Sequence, residues 1–149
     1  MNLEYMNLAY KEAQKALKNN EVPVGAVIVK NDEVIAKAYN KKEKRNCALE
    51  HAEMIAIRKA SKKLNNWRLE DCDIYITLAP CPMCASALKQ ARIKNIYCGL
   101  SNLDENTQKI VENILNTSDI NPKVNFKSDL SPESVDKLLK LFFKGKRIK

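Results

Sequence analysis

Apolar residues recur at helical spacing near the start of the chain and then give way to runs rich in β-branched residues. Between residues 3 and 17 the apolar positions follow a helical repeat, and the polar pair Asn19-Asn20 ends the run, which predicts an amphipathic helix. The segments VPVGAVIVK and EVIAKAY follow, separated by Asn31-Asp32. Two extended runs around a polar turn predict a β-hairpin.

The rest of the chain alternates between helical and extended patterns. A polar loop over residues 40–49 leads into a second helix, and the apolar segments CDIYITL and IKNIYCG are typical of buried strands. Pro82 begins the helix between them, because its fixed φ suits a first helical turn. Residues 104–116 are predicted to be helical, KVNF is weakly extended, and Ser131-Pro132-Glu133 begins a last helix. Helices between strands predict an α/β class with parallel later strands.

Length and composition favour one cytoplasmic domain over residues 1–149. No apolar run approaches the roughly 18 to 20 residues that a membrane span needs, and the first residues mix charges instead of forming a signal peptide. The five cysteines are an odd number, which argues against a disulfide framework. Cys72 and Cys98 lie in apolar strands and are predicted to be buried, and Cys47 is predicted to be an exposed thiol.

The balance of charge favours a polyanionic partner. The chain carries 26 Lys and Arg against 18 Asp and Glu, a net charge of +8. The last basic cluster follows Phe142 and Phe143, and aromatic rings beside cations suit base stacking and phosphate contact. Solvated lysine-rich helix faces, and a phenylalanine pair that packs into the core, would give the same pattern.

Two short segments carry the candidate chemistry. His51, the only histidine, precedes Glu53 by two positions, and Cys81 and Cys84 form a Cys-x-x-Cys pair at the start of a predicted helix. Cysteines on one helical turn can reach a single ion, and a helix N-terminus favours the thiolate that binds metal. A redox motif or two buried cysteines would also fit this pair, but His51 supplies a third ligand of the kind that zinc takes.

Three protein ligands leave a fourth position open, as in catalytic zinc sites. Zinc lowers the pKa of its bound water to about 7, and a carboxylate beside that water can move the proton. Glu53 shares a helical turn with His51 and is not needed as a ligand. We therefore predict that His51, Cys81 and Cys84 hold the metal and that Glu53 is the proton carrier.

These segments resemble the bacterial tRNA-specific adenosine deaminases of the zinc-dependent, cytidine deaminase-like superfamily. HAE and PCxxC carry the superfamily signature, and the resemblance extends through nearly the whole chain. It includes EVPVGAVIV at 21–29, Asn40, WRLEDCDIYITL at 67–78, PCPMCASAL at 80–88 and LLKLFFKGKR at 138–147. The resemblance implies a three-layer α/β/α domain with a central mixed five-stranded sheet.

The resemblance also implies a reaction and an assembly. One Zn²⁺ per subunit on His51, Cys81 and Cys84, with Glu53 as general acid/base, would hydrolyse adenosine to inosine at the wobble position of a tRNA anticodon stem-loop. Family members form homodimers. The adenine would contact Asn40, the backbone of Ala52, and Val24. RNA contacts are implied at the C-terminal residues Phe142, Phe143, Lys144, Lys146 and Arg147.

The chain departs from the family pattern at three places. Glu50 replaces a usual alanine and Ala79 a usual glutamate, so one hypothesis is that a carboxylate that orients the zinc ligands has moved from 79 to 50; independent drift is the alternative. The loop 100–107 lacks the family's glycine, and Asn102 stands at a position that is usually aspartate. This loop puts the strictness for RNA in question, although simple loop variation would explain it.

Two other functions fit parts of the sequence. A guanine-type nucleobase or nucleoside deaminase shares the HAE and PCxxC segments, but it has no use for a polyanion-binding tail. The second alternative is a structural zinc module that binds RNA without catalysis. Such a module would need a fourth ligand where this chain has Glu53.

Overall fold

The computed structural model describes residues 1–117 and 122–148, with side chains described as far as Gly145. In this part of the chain, none of the helices is both long and apolar enough to cross a membrane. The elements are α1 (Leu3–Lys18), β1 (Gly25–Lys30), β2 (Glu33–Tyr39), α2 (Lys42–Arg45), α3 (Ala52–Leu64), β3 (Cys72–Leu78), α4 (Pro82–Gln90), β4 (Asn95–Leu100), α5 (Glu105–Asn116), β5 (Asn125–Lys127) and α6 (Pro132–Ile148).

The five strands form one mixed sheet in the order β2-β1-β3-β4-β5. β1 is antiparallel to both β2 and β3, whereas β3, β4 and β5 run parallel. The predicted hairpin and the predicted parallel later strands are therefore confirmed. Because parallel strands end at the same edge of a sheet, the segments after β3 and β4 lie side by side.

Helices cover both faces of the sheet. Ala26, Ile28 and Ile74 pack with α3, α4 and α5, whereas Val27 and Tyr75, which alternate with them, pack under α1. Such alternation follows from the two-residue repeat of a strand. α6 packs near the pocket end of the sheet, with Val135 and Leu139 against Leu78. The predicted three-layer α/β/α arrangement with a mixed five-stranded sheet is the one observed.

The close approach of α1 to β1 depends on Gly25. A Cβ at this position would lie 2.0 Å from the Ala9 carbonyl oxygen and 2.5 Å from the Ala13 amide nitrogen. Only glycine allows the helix backbone to come this near to the strand. The amide of Gly25 also donates a hydrogen bond to Thr77 Oγ1 (3.1 Å) on β3.

The sequence prediction missed one element, the single-turn helix α2 inside the predicted loop 40–49. Its four residues, KEKR, have no apolar periodicity, and Asn46 ends the turn in the left-handed conformation with φ 48°. Burial of Cys72 and Cys98 is confirmed. The prediction that Cys47 is exposed was wrong: it is half-buried, because its amide donates to the Lys42 carbonyl oxygen and holds it against α2.

Candidate active site

The predicted metal ligands come from the starts of two helices. His51 is the N-cap residue of α3, and Cys81 is the N-cap residue of α4, both with extended backbone angles. Pro82 follows at the first helical position, and Cys84 lies on the first turn of α4, fully buried. Because β3 delivers Cys81 to the edge of the sheet beside the start of α3, residues thirty positions apart become neighbours.

The three donor atoms have the spacing of a zinc site. His51 Nδ1 lies 3.8 Å from Cys81 Sγ and 3.5 Å from Cys84 Sγ, and all three atoms lie within 4.8 Å of one another. Tetrahedral zinc with ordinary Zn–N and Zn–S bonds separates a nitrogen from a sulfur by about 3.6 Å. The nitrogen and sulfur donors also match the ligand preference of this ion. The residues present therefore fit Zn²⁺.

The neighbouring groups favour a thiolate at Cys81. The Cys84 thiol lowers the pKa of Cys81 to about 4, and His51 acts in the same direction. The same contact with Cys81, together with burial, raises the pKa of Cys84. The Cys81 sulfur in turn raises the pKa of His51. A thiolate is the form of cysteine that binds a metal.

Glu53 is a buried carboxylate on the first turn of α3. Its side chain is only 3% exposed, and its Oε1 has no hydrogen-bond partner among the described residues. Burial raises the pKa of Glu53 to about 6, against the opposing effects of its backbone amide and His51. A buried carboxylate oxygen without a partner costs free energy. Such an orphaned oxygen next to a pocket is available to a ligand, to water or to a proton.

A pocket of about 260 Å³ opens over these groups. Of the predicted site residues, His51, Cys81, Glu53, Asn40 and Val24 line it. Asn40 is 6% exposed, and its backbone amide donates to Val24 O (3.1 Å), which ties the end of β2 to the residue before β1. The other lining residues are Val22, Lys42, Leu78, Ala79, Asn102 and Leu103.

Two predicted residues lie behind this lining, and four lining residues were not predicted. Cys84 and Ala52 are fully buried, so Ala52 can offer a ligand only its backbone, as the family resemblance implied. No role was predicted from the sequence for Val22, Lys42, Leu78 and Leu103. The sequence feature that could have pointed to Lys42 was its position two residues after Asn40. For Leu103 the one such feature was its position in the unusual loop after β4.

The predicted C-terminal RNA contacts are divided by burial. Phe142 is 6% exposed and Phe143 is 51% exposed, with their rings packed edge to face at 5.4 Å. Lys144 is exposed. The side chains of Lys146 and Arg147 lie outside the described residues. Phe143 is therefore the ring of this pair that is open to a stacking base.

Glu50 does not orient a zinc ligand in the way the sequence suggested. Its Oε2 accepts a hydrogen bond from Arg45 Nη1 (2.6 Å), and its Oε1 accepts one from Arg58 Nη2. The Arg45 guanidinium lowers the pKa of Glu50. Both oxygens thus bind arginines, so the carboxylate joins α2 to α3. Ala79 is 8% exposed and lines the pocket.

Comparison with known proteins identifies the family. The model of the MafB19-like deaminases matches residues 1–147. The tRNA-specific adenosine deaminase of Bacillus subtilis is 39% identical over 145 residues, covering 97% of this chain and 90% of the relative. The enzyme of the same name from Aquifex aeolicus is 42% identical over 146 residues, covering 96% and 94%.

A solved structure gives the same result. It comes from work on A-to-I editing by tRNA:A34 deaminases at the wobble position of transfer RNA, and it superposes with a TM-score of 0.85 at 33% identity, over 93% of this chain and 100% of that one. The resemblance inferred from the sequence is confirmed. The chain belongs to the MafB19-like deaminase family and is a member of its tRNA-specific adenosine deaminases.

Proposed function

We propose that this protein hydrolyses the wobble adenosine of a tRNA anticodon loop to inosine, releasing ammonia. One observation carries the proposal: three zinc-type donors and the unpartnered, buried Oε1 of Glu53 meet at one pocket. The pocket's volume, about 260 Å³, suits a single base rather than a folded RNA element. An adenosine in an anticodon loop can be turned out of its stack to enter such a site.

His51, Cys81 and Cys84 would hold one Zn²⁺ per subunit. When bound, this ion lowers the pKa of the attacking water. Glu53 takes the proton that this water loses and gives it to the purine ring, as oxygen adds to C6. The second proton goes to the leaving nitrogen as the C6–N bond breaks, so adenosine and water become inosine and ammonia. The raised pKa of Glu53 suits a group that both takes and gives a proton near neutral pH.

The pocket walls position the base. The side-chain amide of Asn40 can both donate and accept hydrogen bonds, which suits a purine edge, and it is buried beside His51 and Glu53. Val24, Leu78 and Leu103 supply apolar surface against the ring. The backbone of Ala52 at the start of α3 is a further contact in this proposal.

The decisive experiment compares the wild-type protein with Glu53→Gln, which keeps the shape of the side chain and removes its basicity. Each is loaded with zinc and incubated with an anticodon stem-loop that carries a wobble adenosine, and inosine is measured by mass spectrometry. We expect inosine at that position with the wild-type protein and a loss of at least about a hundredfold with Glu53→Gln. Ammonia from free guanine without any inosine in RNA would favour the guanine-type deaminase.

The assembly and compartment are parts of the same proposal. A homodimer agrees with the family, and Leu49, an apolar residue between α2 and α3, is 50% exposed. Sedimentation equilibrium at micromolar concentration tests the dimer. A tRNA substrate places the protein in the cytoplasm.

A further inference from the structure

Positive charge is concentrated beside the pocket. Residues 41–59 contain six Lys and Arg against three Glu, a net charge of +3. Two elements present it, α2 and the middle of α3. We call the following group the α2–α3 ridge: Lys41, Lys42, Lys44, Arg45, Arg58 and Lys59.

Two buried carboxylates hold the ridge in place. Glu21, which is 1% exposed, accepts hydrogen bonds from the amides of Glu43 (3.0 Å) and Lys44 (2.8 Å), and so fixes α2 to the segment before β1. Glu50 binds Arg45 and Arg58, and its carbonyl oxygen accepts from the Lys41 amide (3.0 Å). A surface loop with this many buried anchors is a fixed part of the site.

The ridge keeps most of its charge available. Glu50 takes one donor from each of two guanidiniums, and each guanidinium has five N–H groups. The side chains of Arg45 and Arg58 remain 45% and 50% exposed. The Lys59 ammonium donates to a neutral acceptor, the Lys37 carbonyl oxygen (2.8 Å). Burial lowers the pKa of Lys41, and so do Arg45, Lys59 and Lys44, which shows that these cations are crowded together.

A groove at the opposite end of the sheet is acidic. Asp32, Asp71 and Asp73 line a separate groove where β1 ends and β3 begins. The pocket lies at the other end of β3, near Leu78 and Ala79. The acidic groove itself repels a polyanion, whereas the ridge attracts one.

We propose that the α2–α3 ridge binds the phosphate backbone of the RNA strand on one side of the nucleotide whose base enters the pocket. The inference rests on the proposed function, since it requires an RNA substrate. Lys42 belongs to both the ridge and the pocket lining, so a strand that places one base in the pocket brings its next phosphates to the ridge. Lysine and arginine side chains neutralise phosphates directly, and arginine does so with paired hydrogen bonds. This binding surface is additional to the C-terminal residues of α6.

The test compares two double variants that each remove two positive charges. Lys44→Gln with Lys59→Gln changes the ridge outside the pocket lining. Lys94→Gln with Lys123→Gln changes two exposed lysines before β4 and β5, at the opposite end of the parallel strands. Binding of the anticodon stem-loop is measured by fluorescence anisotropy at several salt concentrations. The unfolding temperature and the rate of inosine formation at saturating RNA are measured as well.

We expect the ridge variant to bind about tenfold more weakly at low salt. The slope of log Kd against log salt should fall by roughly 0.7 to 0.9 for each lost phosphate contact, while the unfolding temperature and saturating rate stay at wild-type values. The control variant should match the wild-type protein. Equal salt slopes in the two variants would contradict the proposal that the ridge binds phosphates. A lower rate at saturating RNA with unchanged binding would contradict it too.

The same data separate this inference from the proposed function. If the ridge variant weakened salt-dependent RNA binding but none of the proteins formed inosine, the deaminase proposal would be contradicted. Phosphate binding by the ridge would still be supported. If the wild-type protein and both variants formed inosine and bound the RNA equally well, only the proposed phosphate binding by the ridge would be contradicted.

Discussion

His51 Nδ1 lies 3.5 Å from Cys84 Sγ, although 33 positions separate the two residues in the chain. α3 supplies the first and α4 the second, and the ends of different strands lead to the two helices. Cys84 is fully buried, so this donor group is part of the packed interior. An ion held here would connect two helices of the same layer and stabilise the folded chain.

Removal of zinc should therefore lower stability as well as activity. A ligand that binds only the folded state adds about 2.7 kcal/mol when its free concentration is a hundred times its Kd. We expect chelation to lower the unfolding temperature and added zinc to restore it, in calorimetry with metal content measured in parallel. Cys81→Ser should lose zinc, whereas Cys47→Ser should keep one equivalent. A full equivalent in Cys81→Ser would contradict the ligand assignment.

Gly25 and Gly145 should respond in opposite directions to alanine. At Gly25 the new Cβ meets backbone atoms of Ala9 and Ala13, which cannot rotate away, so we expect a loss of about 1 to 3 kcal/mol or more in the free energy of unfolding. At Gly145, inside α6, a Cβ meets nothing within 4 Å. There alanine should stabilise the helix by roughly 0.5 to 1 kcal/mol. Urea unfolding of both variants measures these effects. A Gly25→Ala variant as stable as the wild-type protein would contradict the close approach of α1 to β1.

The residues with a strong local signal were predictable from the sequence. Pro82 at the first turn of α4 and the apolar run of β3 required only backbone chemistry and periodicity. His51, Cys81 and Cys84 were predictable because few other residue types could serve a zinc ion. Their geometry agrees with that prediction.

What the sequence did not predict depends on tertiary contacts. α2 has no apolar face, and it is held by Glu21, a residue about twenty positions earlier whose role has no local signature. Glu50 stood beside His51 in the sequence, which suggested a role for it at the metal. Its partners are Arg45 and Arg58, which lie on either side of it in the chain. Adjacency in sequence was a poor guide to side-chain direction at the start of a helix.

Replacement of Glu50 should affect stability more than zinc binding. Glu50→Ala leaves Arg45 and Arg58 without the carboxylate between them, and since both arginines are half-exposed we expect a loss of about 1 to 2 kcal/mol. Zinc content should remain at one equivalent, because the carboxylate binds arginines and not a ligand. Metal analysis and urea unfolding measure the two effects, with the exposed Glu70→Ala as control. Loss of zinc in the folded variant would show that Glu50 acts at the metal after all.

Glu21 should hold α2 in its folded position and thereby keep the adjacent pocket residues in place. Its two oxygens accept from the amides of Glu43 and Lys44, and hydrogen bonds to a charged group stabilise by about 1.5 to 3 kcal/mol. Glu21→Ala should therefore speed hydrogen exchange at these two amides. It should also raise the KM for RNA, since Asn40 and Lys42, at the start of α2, line the pocket. Glu21→Gln keeps one acceptor and should have a smaller effect, and the exposed Glu43→Gln should have none on exchange. If the exchange rates at residues 43 and 44 stayed the same in Glu21→Ala, α2 would hold its place without this carboxylate, and the wall of the pocket would depend on Glu50 and its arginines alone.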